Sequence, residues 1–199
     1  MGCSTVAAEE GLSDAEAWAG NHAEIFESTL APKKYAQGEL PGGAWHVSVS
    51  MTPGGGPAIR ISLLCTDERT ITARVRQGPA EGVVAAAARA HVANAAESPQ
   101  QIASRIRFVD KELSSAECPA LPDLAREFQR VRLSLKAPLT VSFHGTRYRF
   151  VTQDYGGFEL EGVIRDTNAG EPSEPLVEWV NRARKALTGC GVAGLTERE

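Results

Sequence analysis

The side chains best suited to chemistry are few and widely separated in this chain. Its four histidines are His22, His46, His91 and His144. None stands in H-x-x-x-H or H-E-x-x-H, the spacings that set two imidazoles on one helix face around a metal. Cys3, Cys65, Cys118 and Cys190 lack the C-x-x-C pairing of zinc sites and thioredoxin-type redox centres. No metal and no other cofactor is therefore expected. No Ser lies in G-x-S-x-G, so the strained strand-to-helix elbow of a hydrolase nucleophile is missing. Gly54-Gly55-Gly56 runs into a strand pattern and has no Lys-Ser or Lys-Thr behind it, which removes both the helix-start amides and the lysine of a phosphate loop. It reads as a flexible turn. Glu159 and Glu161 are spaced to share one strand face, as paired acid and base carboxylates would be. Arg147 and Arg149 on the preceding strand pattern would hold both ionised instead of raising one pKa, so cross-strand ion pairs are the expectation there. No catalytic residue is assigned.

Chemistry so dispersed depends on the elements that carry it. Ser13 with Glu16 three residues on forms a capping box for a helix whose apolar residues Trp18, Ile25, Phe26 and Leu30 continue to about residue 30. Ala31 to Gly43, with Pro32, Gly38, Pro41, Gly42 and Gly43, is a linker or a meandering connection. Trp45, Val47, Val49 and Met51 then alternate with polar residues, the period of a strand with one face buried. Ile59, Ile61, Leu63 and Cys65 alternate likewise, and Ile71, Ala73 and Val75 answer them. A five-residue loop sets Cys65 opposite Ile71, Leu63 opposite Ala73 and Ile61 opposite Val75. Cys65 then points inward as a buried thiol. On the outer face His46, Arg60, Arg74 and Arg76 can gather, either as a solvated strand face or as a patch for an anion or a partner.

Ala80 to Ala96 is an Ala-rich helix ended by Ser98-Pro99. Ser98 and Gln101 then cap a short helical turn to about residue 103, and a strand follows to about 113. A helix after Cys118-Pro119 carries Leu121, Leu124, Phe128 and Val131 on one face. The last helix opens at Ser173-Glu174-Pro175, buries Leu176, Val180, Ala183 and Leu187, and stops at Gly189. Between these helices lies a three-stranded meander in which His144-Gly145 forms a two-residue turn, aligning Val141 with Tyr148 and Leu139 with Phe150. Asp154-Tyr155-Gly156-Gly157 turns the chain into Phe158, Leu160, Gly162 and Ile164. The expected fold is α+β: an antiparallel sheet of about six or seven strands with helices packed mainly on one face. Residues 1-43 form an acidic N-terminal tether and helix, 44-190 a single domain, and 191-199 a C-terminal tail.

Cys118 and Cys190 both fall at helix ends. Two helices on one side of the sheet would bring them together, and a disulfide Cys118–Cys190 is expected, with two reduced thiols as the alternative. Such a bridge implies an oxidising compartment. Met1-Gly2-Cys3-Ser4-Thr5 resembles the start of a mature bacterial lipoprotein, in which a Cys after a small residue takes the lipid. That resemblance implies lipidation of Cys3, a signal segment already removed, and Met1 added. The run His144-Gly145-Thr146-Arg147-Tyr148-Arg149-Phe150, followed by the Cys-ended helix, resembles uncharacterised bacterial envelope (periplasmic) lipoproteins with one disulfide over roughly residues 100–190. The resemblance brings no known activity with it.

Charge narrows the partners. The net charge is −4, and the first 30 residues hold six carboxylates and no Lys or Arg, so the remainder is nearly neutral. The strong basic excess of a nonspecific nucleic-acid binder is missing. No run of residues is long and apolar enough to span a bilayer, which leaves a lipid on Cys3 as the only expected membrane attachment. The expected function is a non-enzymatic envelope lipoprotein of the bacterial periplasm that binds a protein or an envelope component, an inhibitor or immunity protein being one form. The alternative is a hydrolytic enzyme whose site assembles from distant residues, His46 or His144 with Glu161. A cytosolic adaptor with four reduced thiols is a third reading.

Overall fold

The computed structural model describes residues 4–36, 39–53, 57–67, 70–131, 146–156, 159–166 and 175–195. Among them, six strands form one antiparallel sheet: β1 (Trp45–Thr52), β2 (Ile59–Cys65), β3 (Ile71–Gln77), β4 (Val109–Ser114), β5 (Thr146–Asp154) and β6 (Glu159–Asp166). Their order is β4-β3-β2-β1-β5-β6. The helices are α1 (Ser4–Asn21), α2 (Ala23–Ser28), α3 (Val83–Ala93), α4 (Pro99–Arg105), α5 (Leu121–Phe128) and α6 (Pro175–Gly189). The fold is α+β, as expected. The seventh strand, the His144-Gly145 turn and His144 itself lie outside the described residues.

Alternation decides the two faces of the sheet. Cys65 faces Ile71, Leu63 faces Ala73 and Ile61 faces Val75, the register a five-residue loop requires. That row packs with Val47 and Val49 of β1 and Phe150 of β5 against α5 and α6, whose Leu121, Leu124, Leu176, Val180, Ala183 and Leu187 are all buried. Trp179 is wholly buried there, and its indole N–H donates to the Leu124 carbonyl at 2.9 Å. Burying the indole's polar atom without that acceptor would leave an uncompensated donor. The last helix ends at Gly189, as expected. The reversal comes at Gly191, whose φ of 83° suits a residue without Cβ, and Val192 N–H bonds back to the Leu187 carbonyl at 3.0 Å. Cys190 therefore lies just beyond the helix, its N–H still bonded to the Ala186 carbonyl at 3.1 Å. Beyond it Val192 and Leu195 are buried against the core, so the tail is docked as far as it is described.

A second core forms around α1 to α4. Ala15, Ala19, Phe26, Val83, Ala87 and Ile102 bury one another, small residues letting α1 and α3 approach closely. α1 begins at Ser4, so Ser13 lies inside a helix and caps nothing. The Ala-rich residues ahead of it carry enough helix propensity to extend the element upstream. The chain also breaks at His22, with φ −113° and ψ 14°, before the short α2. The second capping box stands: Ser98 Oγ accepts from the Gln101 N–H, and Gln101 Oε1 accepts from the Ser98 N–H at 2.8 Å.

The Pro-containing stretch after α2 is a meandering connection, and it serves as a strap across the polar face of the sheet. The Ala31 carbonyl accepts from Arg60 on β2 at 3.1 Å, and the Lys33 N–H donates to Ser48 Oγ on β1 at 2.9 Å. The Tyr35 N–H donates to Gln153 Oε1 on β5 at 2.8 Å. Alternate residues of one extended segment thus address three adjacent strands. With Phe26 and Leu30 buried as well, the acidic segment expected as a tether is packed onto the domain from Ala15 onward.

Candidate functional site

Cys118 and Cys190 form a disulfide, with Cα atoms 5.3 Å apart and 72 positions of chain between them. α5 and α6 lie on the same face of the sheet, so the cysteine ahead of one meets the cysteine at the end of the other. Cys65 is the free cysteine among the described residues, and burial pushes its thiol pKa up to about 12. The thiolate is the reactive species, so the folded protein should resist alkylation at Cys65 and react stoichiometrically once denatured. Mass spectrometry after iodoacetamide treatment checks this; rapid labelling of the native protein would contradict it. Cys3 lies outside the described residues.

The polar face of the sheet carries the charged residues of interest. Arg60 and Arg76 are direct neighbours in the β2–β3 pairing, and Arg74 stands beside them opposite Ser62. The structure thus brings three of the four expected patch residues together. The fourth, His46, is buried at 1% exposure under the strap, its ring meeting Tyr35 edge-on with centroids 4.8 Å apart. It does not line the cleft that the arginines share. Burial, then the nearby charges of Lys33 and Arg60, lower its pKa to about 4, so its imidazole is neutral at neutral pH. Neither ring nitrogen has a hydrogen-bond partner among the described residues.

The cleft has a volume of about 460 Å³ and is bordered by Lys33, Arg60, Ser62, Arg74, Arg76 and, on β4, Asp110, Lys111 and Glu112. Asp110 takes two hydrogen bonds from Arg76, both 2.7 Å, and this pairing holds its carboxyl below the usual carboxylate range. Arg74 Nε donates to Glu112 at 2.6 Å. Arg60 has no such partner: it is half-buried, donates to the Ala31 carbonyl, and makes no ion pair among the described residues. Burial and the facing Arg76 lower its pKa from the ordinary guanidinium value, with the nearby Asp110 charge partly opposing them. The Lys33 ammonium rests 4.1 Å from the centroid of the Tyr35 ring, also without a carboxylate among the described residues. Lys33, Asp110 and Glu112 escaped the sequence reading. Lys33 sits in a stretch without periodicity, and the two acids face the arginines only through a β3–β4 pairing formed across two intervening helices.

The expected ion pairs of Glu159 and Glu161 are rearranged. Lys34 of the strap binds both, at 2.8 and 2.5 Å, which raises the lysine's pKa. Arg147 and Arg149 turn instead to Glu27 of α2, at 2.8 and 3.6 Å. The cause is register: Glu159 faces Gln153 and Glu161 faces Val151, placing the carboxylates away from both arginines. Glu161 and His46 stand on either side of β5 and do not meet.

His22 and His91, unrelated in sequence, flank one indole: His91 stacks on Trp18 with ring centroids 3.8 Å apart, and His22, at the break between α1 and α2, lies 4.9 Å away. Among the described residues no group of three His, Cys, Asp or Glu is placed to hold a metal ion, and no helix is long and apolar enough to cross a membrane. A smaller hollow of about 290 Å³ lies beside Trp45, Phe128 and Leu160. Neither hollow is lined by a histidine among the described residues. No protein-family model, curated protein or solved structure matches the chain.

Proposed function

We propose that this is a binding protein of the bacterial cell envelope, held at a membrane by lipid on Cys3, which contacts a protein or an envelope component through the polar face of its sheet. The observation that carries the reading is the Cys118–Cys190 bridge, because disulfides persist in oxidising compartments such as the periplasm and are rare in the cytosol. The cleft supports the recognition half. It presents cations at a fixed place on a sheet whose other face is filled by the core, and rigid elements position such groups better than loops. An inhibitor or immunity protein is one form of this function. The hydrolytic alternative draws no support from His46, which is buried, or from Glu161, which Lys34 engages; its other histidine, His144, lies outside the described residues.

Intact mass of the protein isolated from its natural host, with thiol alkylation before and after reduction, tests the reading. The expected result is a lipid-sized increment on a chain beginning at Cys3, with two thiols at Cys118 and Cys190 released only by reduction. Free thiols at Cys118 and Cys190 on an unlipidated chain would overturn it and favour the cytosolic adaptor.

A further inference from the structure

We propose that the cleft between the strap and strands β2 to β4 binds a phosphomonoester-class dianion, with Arg60 as its principal ligand and Lys33 as the second. This deepens the reading of the polar face as a recognition surface and does not depend on the compartment. The inference rests on a charge count made side chain by side chain. Five cations line the cleft: Lys33, Arg60, Arg74 and Arg76 from the polar face and strap, and Lys111 from the edge strand β4, where it pairs with Val75 of the core-facing row. Asp110 neutralises Arg76 and Glu112 neutralises Arg74. Two positive charges remain on the polar face and strap, with Lys111 adding a third at the edge, in a chain whose net charge is −4.

The charges of Arg60 and Lys33 are both held in place by the strap. Arg60 is half-buried, directly faces another guanidinium, and spends one of its donors on the Ala31 carbonyl. A guanidinium has five N–H donors in a fixed fork, so the rest can serve an oxyanion. Lys33 is fixed by its own backbone N–H on Ser48 and by its ammonium on Tyr35, which sets a second charge at the rim at little further cost in side-chain entropy. Ser62 adds a hydroxyl to the lining, paired at 2.8 Å with Ser48.

Ligand class follows from charge and extent. A single carboxylate would leave one cation unmatched, whereas a phosphomonoester carries about −1.5 to −2 at neutral pH and presents three acceptor oxygens. A nucleic-acid backbone would need a continuing basic track. Here Asp110 and Glu112 close the cleft on the β4 side and would repel the next phosphate. The same group is offered by a soluble phosphate compound or by a lipid headgroup.

The test uses the oxidised full-length chain at constant ionic strength. Calorimetric titration with inorganic phosphate and with acetate probes the soluble source, and sedimentation with phosphatidylcholine vesicles, with or without phosphatidic acid, probes the headgroup. Saturable binding of phosphate in preference to acetate, or of phosphatidic acid vesicles alone, is the expected result and identifies the source. Arg60→Gln should weaken that binding about 10- to 100-fold, the range for hydrogen bonds to a charged group. Lys33→Gln should weaken it less, by about 3- to 10-fold. Arg89→Gln, on α3 and paired with Glu81 outside the cleft, should leave it unchanged. If Arg60→Gln does not fold, Lys33→Gln decides, because its ammonium holds no ion pair among the described residues. No binding to phosphate or to phosphatidic acid vesicles, equal binding of acetate, or wild-type affinity in the Lys33 and Arg60 variants overturns the proposal. The compartment reading fails by a different observation, free thiols in the host-derived protein.

Discussion

Replacing Cys118 and Cys190 together by alanine lowers the free energy of unfolding by roughly 4 kcal/mol, the value the chain-entropy treatment gives for a closed loop of this size. The loop spans 72 positions, long enough that the bridge removes many conformations from the unfolded chain. Against the ~5–15 kcal/mol total stability of an ordinary domain, that loss is large. The native contacts argue that the variant still folds: α5 and α6 also meet through Trp179, which is wholly buried and bonded to the Leu124 carbonyl. Alanine is the right replacement because Cys118 is itself fully buried, and a serine hydroxyl there would add a desolvation cost. Urea unfolding should show a lower midpoint, and reducing agent should shift the wild-type midpoint toward it while leaving the variant unmoved. A wild-type midpoint insensitive to reduction would show that the two sulfurs are not joined in solution.

What the sequence made legible was whatever depends on neighbours along the chain. The β2–β3 register followed from counting alternation through one short loop, and the Ser98 capping box from two residues three apart. The Cys118–Cys190 bridge was legible because both cysteines mark helix ends and the intervening pattern is strand-rich. Pairings between distant segments were not legible. Arg147 and Arg149 had a plausible local partner in Glu159 and Glu161, yet Glu27, some 120 residues away, takes them. The strap is the common reason. Residues 31–36 lack any period, because an extended segment lying on a polar face is held mainly by backbone hydrogen bonds and leaves little hydrophobic signature. Once it is in place, it brings Lys34 to the carboxylates of β6, Glu27 to the arginines of β5 and Lys33 to the cleft. The gathering of Arg60, Arg74 and Arg76 was readable from strand parity; which of them keeps an unmatched charge was not.

The same strap makes stability depend on pH through His46. Its folded-state pKa of about 4 lies below the ordinary value of 6.5, because burial and the charges of Lys33 and Arg60 disfavour the imidazolium. Between those two values the unfolded chain binds a proton that the folded chain refuses, so stability rises with pH across that window. Stability is thus fully present above the unfolded value and is lost as the pH falls toward the folded one. The gap corresponds to about 3 kcal/mol at its full extent. His46→Phe keeps an aromatic ring against Tyr35 and removes the titration. Its urea midpoint should therefore fall less than the wild-type midpoint between about pH 7 and about pH 4, the carboxylates common to both proteins cancelling in the comparison. Gln153 and Tyr35, the uncharged side chains packed nearest along the strand pair and the strap, give the imidazolium no compensating anion. An NMR titration supplies the direct check: the His46 ring signals should keep the neutral form at about pH 5.5, where an exposed histidine is already mostly protonated. Titration of His46 near 6.5 would mean that the strap opens readily enough to hydrate the ring, and the loss of acid stability would then vanish with it.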